Sequence, residues 1–346
     1  MRFDPADPFF PAPGVRASPA TRLRRPRSGE PTPPQSSLNH QPFPAWARVE
    51  VGGQEASPAA FFAAGASLAL LDCVLRQDLP CAGAVRQRLA LKAAAASARI
   101  LLLREDEAAL RDAEHLAAAE DPGPAGRLHR LWRSLAGQDA RLEAKRFEEA
   151  LRLLDAPEPD DVSALIGELR GLMKAPDDPA TLAARAGARV HSFCPRPEGE
   201  ILAAWTADLL LALRLGWERP APLLMTKILD PSLRRGAVGA RPRPSDSDWP
   251  QAVASGYALA ASDAHALASE LSRRAEKLLA VAPKLRAKRA SRVVELLLTE
   301  DCVTPSRAAK LSGLSDRAAR RLFDRLVELE VVREVSGRPS FRLYGL

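Results

Sequence analysis

The sequence predicts an all-α helical body followed by a C-terminal winged helix-turn-helix of three helices plus a β-hairpin. Three observations predict it. From residue 57 to about 283, apolar residues recur at spacings of three and four, and no period-two alternation appears before residue 330. Near Val331 the pattern changes to two short β-prone runs around a glycine turn. The charge is also unevenly placed: the net +7 of the 346 residues sits at the two ends. Residues 284–346 hold 14 basic and 8 acidic side chains, whereas residues 49–283 hold 29 and 32.

Taken in chain order, residues 1–48 read as a disordered Pro-rich arm, because 11 of the 30 prolines fall there and few apolar groups offset chain entropy. The cluster Arg22, Arg24, Arg25 and Arg27 could touch nucleic acid or a partner, and reads more simply as part of a solvated arm. Residues 49–283 form the helical body. Ser57-Pro58 sets a cap with Pro at the first helical position, ahead of the apolar run Ala59 to Leu75. A second helix runs from about Cys81 to Leu103, with Val85, Leu89, Ala93, Ala96, Ile100 and Leu103 as one buried stripe. Its Ala93 to Ala96 tract leaves that face thin enough for a neighbouring helix to approach closely.

After the break at Asp121-Pro122-Gly123-Pro124, a helix carries Leu128, Leu131, Trp132 and Leu135. Shorter helices are expected over 140–154, 161–173 and 179–190, and a central core helix from Ile201 to Leu215. Ser247 or Asp248 caps a long helix reaching about Ala282. Its Val253, Tyr257, Ala260, Ala264, Leu267, Leu271, Leu278 and Leu279 fall on one side.

Residues 284–346 carry the specific signal. Val293, Val294 and Leu296 to Leu298 make a first helix ending near Glu300-Asp301. A second starts at Thr304 or Pro305, with Ala309 small enough to sit under a crossing helix. Gly313 turns the chain, Leu314 plugs the gap, and Ser315 caps a third helix with Asp316 in its first turn. Ala318, Ala319, Leu322, Leu326 and Leu329 face the core, which leaves Arg317, Arg320, Arg321, Asp324, Arg325 and Glu328 outward. The hairpin follows over Val331–Val335 and Ser340–Tyr344, with Phe341 and Leu343 packed inward and Arg342 and Tyr344 facing out.

A short helix, a tight turn and a second helix with a basic outer face point to double-stranded DNA as partner. The expected DNA-binding residues are Lys310, Ser315, Arg317, Arg320, Arg321, Arg325, Arg338 and Arg342. Arg317, Arg320 and Arg321 lie within two turns of the cap, where a recognition helix reaches base edges. Lys310, Arg325 and Arg338 suit phosphate, and Arg338 at the hairpin tip can also reach the minor groove. The basic run Lys284, Arg286, Lys288, Arg289 and Arg292 extends that phosphate track or solvates a linker.

The stretch Leu311 to Pro339, running on to Leu346, resembles the winged tail of Fic-type proteins, in which an LxELGxLREVTGR segment leads into the closing strand. Pro222 to Met225 with Asp248-Trp249 is similar to the segment ahead of that tail. The Fic catalytic loop, His-Pro-Phe followed by Gly-Asn-Gly-Arg, has no counterpart, since Asn39 to Phe43 lacks the glycine-rich part. Glu330 also stands where such tails carry the glycine that ends the third helix. The whole chain, including Arg86 to Arg99 and Arg104 to Ala113, is similar to a bacterial family known only as a domain of unknown function, which implies no activity.

No P-loop, Rossmann glycine pattern, Gly-x-Ser-x-Gly or zincin motif occurs, so no enzyme, cofactor or metal is expected. His191 and Cys194 have ligand-like spacing but lack a second pair. Arg104-Glu105-Asp106-Glu107, with Arg111, Asp112 and Glu114, is the catalytic alternative, and it reads more simply as a solvated charge network. Arg88, Lys92, Arg99 and Asp106 fall near one face of a continuous helix. Cys73 and Cys81 read as buried thiols, and four cysteines in such a chain make no disulfide framework, so a reducing cytoplasm is expected. No charge-free stretch of 18 apolar residues exists and no apolar leader follows Met1, so neither a membrane span nor a secretory signal is expected.

The reading is therefore a DNA-binding protein, expected to be a transcriptional regulator. Its helical body would sense a ligand, recruit a partner or form a homodimer. The alternatives are a protein-contact module built on the winged helix and, third, an enzyme using Arg104 to Glu107.

Overall fold

The computed structural model describes residues 58–346, apart from 78, 117–120, 158–160, 236–238, 286–288 and 337–341. The arm at 1–48, with Arg22 to Arg27 and Asn39 to Phe43, lies outside the described residues, as do Arg338, Phe341, Arg286 and Lys288. The described residues belong to one compact unit. They are predominantly helical, with a single two-stranded antiparallel hairpin among them.

The body comprises α1 (Pro58–Leu75), α2 (Ala82–Ile100), α3 (Glu107–Leu116), α4 (Gly123–Gly137), α5 (Ala144–Leu154), α6 (Val162–Met173), α7 (Pro179–Phe193), α8 (Pro197–Leu215), α9 (Leu224–Lys227) and α10 (Trp249–Val281). The tail adds α11 (Ala290–Thr299), α12 (Pro305–Ser312), α13 (Asp316–Glu328), β1 (Arg333–Glu334) and β2 (Tyr344–Gly345). Helix starts follow local chemistry. Asp161 and Asp178 accept the backbone N–H groups of Ala164, Ala180 and Thr181, and Pro179 and Pro197 stand at the first turns of α7 and α8. Asp248 precedes α10 as expected, yet its carboxylate makes no capping bond and instead pairs with Arg235 at 3.6 Å.

The core is built on close helix approach. Helix α1 lies along α10, α7 along α8, and α2 along α4. Helix α2 is enclosed nearly all round: Ala93, Ala94, Ala95 and Ala96 are all buried, not only the two on the expected stripe. Alanine makes this possible, because helices walled by methyl groups pack on both sides without leaving voids. Trp132 of α4 fills the space over the tract and donates from Nε1 to Ser97 Oγ at 2.9 Å, and Ser97 Oγ donates in turn to Ala93 O. Gly187 plays the same part in α7, where Trp249 lies 3.5 Å from the position a Cβ would take and donates to Ala184 O.

Three expectations change. Helix α2 stops at Ile100, and Leu102 takes a left-handed φ of 58°, so Asp106 is not on a continuous helix with Arg88 and Arg99. It opens α3 instead, accepting from Ala109 N at 2.8 Å. Cys73 is exposed rather than buried, while Cys81 is buried. Finally, α1 is long and apolar enough to cross a membrane by length and composition, because Asp72 alone interrupts it. In the fold it packs on α10, and Asp72 accepts Trp217 Nε1 at 2.7 Å and pairs with Arg76.

Two glycines test this packing. A Cβ on Gly199 would lie 1.7 Å from Cys194 O, whereas one on Gly167 meets nothing within 4 Å. Gly199→Ala is expected to destabilise by about 2 kcal/mol or more through overpacking. Gly167→Ala, in a helix interior, should stabilise by about 0.5–1 kcal/mol. Urea unfolding midpoints of the two variants measure both.

Candidate nucleic-acid interface

In the tail, Thr304 Oγ1 accepts Arg307 N at 3.1 Å to start α12, and Gly313 ends it with a φ of 68°. Arg289 donates to Gly313 O at 2.5 Å across the space a Cβ would occupy, so part of the basic run 284–292 braces this turn. Arg292 pairs with Glu295. Ser315 Oγ accepts Ala318 N and starts α13, with Asp316 in its first turn. Small Ala309 and Ala319 are buried where the helices cross, as their size predicts. Leu314 is only half-buried.

The outer face of α13 carries the sequence-predicted side chains. Lys310, Arg317, Arg320, Arg321, Arg325 and Arg342 are exposed, and Ser315 is exposed at the cap. No ion pair to Lys310, Arg317, Arg320 or Arg321 is found among the described residues. Arg325 pairs with Glu328 at 2.9 Å, and Arg342 lies 4.0 Å from Asp324 and 3.7 Å from Glu334. The uncompensated charge is therefore concentrated on α12 and the first half of α13.

Behind this face, Phe323 is fully buried, a position the heptad-like spacing passed over. Tyr344, expected outward, is buried and stacks on Phe323 with ring centroids 4.5 Å apart. Strand β2 is also bonded on both edges, which holds it against the helices. Tyr344 exchanges two backbone hydrogen bonds with Val303 on one side, while Glu334 of β1 pairs it on the other. Alternation assumes one open face, and here both are covered, since Leu343 is fully buried on one side of the strand and Tyr344 lies against Phe323 on the other.

A second constellation joins tail to body, and sequence reading missed it. Asp301, 4% exposed, is held by Arg88 of α2 and by Arg111 of α3, whose Nε lies 3.3 Å away. Arg111 also donates to Val335 O at 3.1 Å. Glu300 accepts Arg133 of α4 at 2.6 Å and Arg307 of α12 at 2.8 Å. Arg133 approaches His115 Nε2 at 3.2 Å, and His115 meets His129 edge-on at 5.8 Å. Burial, reinforced by Arg133, pushes the His115 imidazole down to about 2 and that of His129 to about 3. Burial likewise pushes the Cys302 thiol up. The tail is thus fastened to the body by charge as well as by the residues 282–289 that precede it.

The expected catalytic alternative disperses. Arg104, Glu105, Asp106 and Glu107 are all exposed, whereas Arg111 turns inward to Asp301. His191 and Cys194 sit at the end of α7, and burial pushes the Cys194 thiol up and His191 down. Among the described residues no group of three His, Cys, Asp or Glu side chains is placed to hold a metal ion.

An all-helical body with a charged, helix-presenting tail is the class this architecture defines. The chain belongs to the family described as protein of unknown function (DUF1403), whose model matches residues 34–346. No curated protein matches it.

One prediction concerns the tail and one the body beside it. Glu330 holds a left-handed φ of 55° and closes α13, with Glu330 N bonded to Val327 O and Val331 N to Leu326 O. Glycine suits that position, so Glu330→Gly is expected to raise stability by about 1 kcal/mol in chemical denaturation. His129 binds no proton in the fold until near pH 3, while the unfolded imidazole takes one up near 6.5. Stability is therefore present above pH 6.5 and is lost as pH falls, by about 2 kcal/mol at pH 5 from this group. His129→Leu should flatten that slope between pH 7 and 5.

Proposed function

We propose that residues 284–346 form a winged helix-turn-helix that binds double-stranded DNA through α13, in a transcriptional regulator acting in the cytoplasm. The observation that carries this reading is the set of four exposed cations, Lys310, Arg317, Arg320 and Arg321, with no acidic partner among the described residues. Unpaired surface arginines at the start of a capped helix are costly in self-repulsion and are well suited to phosphates and guanine edges. The remaining expectations for the tail, Arg325 as a phosphate contact, Arg338 as a phosphate or minor-groove contact, and Ser315 and Arg342 as further DNA-binding residues, belong to the same proposal. The body then mediates sensing, partner binding or homodimerisation, with no cofactor, membrane or catalytic step.

One observation favours a second reading, a protein-contact surface. Asp324, Glu328 and Glu334 share the exposed side with the arginines and already neutralise Arg325 and Arg342. A mixed-charge face of this kind suits an acidic and basic protein partner as well as DNA.

Fluorescence anisotropy separates the two. The full chain is incubated with duplexes recovered from random genomic fragments and with scrambled controls at several salt concentrations. DNA binding with a steep negative salt slope is expected. Arg320→Ala with Arg321→Ala should lower discrimination by about 1–3 kcal/mol per lost base contact. Salt-independent or absent binding by the native chain rejects the DNA reading and leaves the protein-contact surface.

A further inference from the structure

Helix α1 has an unusual outer side. Its first charged residue is Asp72, and the stripe Gly65, Ala69 and Cys73 open to solvent carries no polar group. The stripe continues into a mostly apolar groove of about 390 Å3 between α1, α7 and α8, walled by Phe61, Leu68, Ala69, Pro179 and Leu215, with Asp72, Arg76 and Asp178 also lining it. A surface helix of a globular unit normally turns charged residues outward, and a face this apolar is normally covered.

We propose that residues 40–57 of the same chain cover this stripe and groove. Four observations favour that occupant. The family match begins at residue 34 and runs on through α1, so this segment belongs to the same family unit in sequence as α1. It carries Phe43, Trp46, Val49 and Val51, side chains of a size to fill such a groove. Gly52-Gly53 then lies five residues before Pro58, where a chain reversal would lay the preceding residues back along α1. The lengths also agree: Phe43 to Val51, if extended, spans roughly 30 Å, and the 18 residues of α1 span about 27 Å. The inference does not depend on DNA binding.

Cys73 supplies the measurement, because Cys81, Cys194 and Cys302 are buried and no cysteine precedes it. Iodoacetamide labelling of the native full-length chain is followed by mass spectrometry at several protein concentrations. Cys73 is expected to react at least tenfold more slowly than in the Phe43→Ala, Trp46→Ala chain, at a rate independent of concentration. Removal of residues 1–57 should give the same acceleration, and where that chain does not fold the doubly substituted one decides. Ala69→Glu, harmless at an open helix position, should lower the Tm of the full chain by several degrees. Equal labelling rates in the native and substituted chains overturn the proposal. So does protection of Cys73 that grows with protein concentration, since a second copy is then the cover.

Discussion

The placement of the tail depends on one carboxylate. Asp301 follows α11 and reaches back between Arg88 and Arg111, which belong to two different helices of the body. A buried carboxylate is tolerated only with such partners, and removal of one arginine from a pair of this kind typically costs about 3–5 kcal/mol. Glu300, its neighbour, does the same for α4 and α12. Two adjacent acids therefore fix α11 against α2, α3 and α4, and with α11 fixed the exposed face of α13 has a defined direction. Arg274 of α10 adds a further tie, donating to Leu346 O at 3.0 Å.

The body supplies the complementary constraint, which is distance. The buried Ala93 to Ala96 tract, Gly187 under Trp249 and Gly199 under Cys194 bring backbones together where larger side chains would hold them apart. Close approach leaves little room for polar groups, and those present are answered locally. Asp208, fully buried and pushed up to about 7 by burial, accepts Leu223 N and Leu224 N and so secures the turn into α9. Such groups give the fold its direction, and the alanine-rich surfaces give it density.

Much of this was legible in the sequence, for reasons that are local. Caps such as Asp161, Asp178 and Ser315, and the left-handed positions Gly313 and Glu330, act within a few residues of themselves. The candidate cations on α13 were legible too, because helical spacing separates Arg317, Arg320 and Arg321 from Ala319 and Leu322. Illegible features depend on partners distant in the chain. Glu300-Asp301 looks like an ordinary helix end until Arg88, Arg111 and Arg133 arrive from three other helices. Tyr344 looks outward-facing until Phe323 of α13 covers that face of its strand. Phe323 was passed over because a helix wedged between a neighbour and a hairpin buries more than one stripe.

The reach of these contacts bears on synthesis. Arg88 and Asp301 are 213 residues apart in the chain, and they meet where the tail joins the body. At roughly 5–20 residues per second, a ribosome would take about 10–40 s to pass from one to the other. For that interval the guanidinium of Arg88, on a helix whose charged side chains are all basic, has no Asp301 carboxylate to receive it. The nascent body would then be held short of its final packing until the tail emerges, its alanine surfaces open to chaperones or to neighbouring chains on the same message.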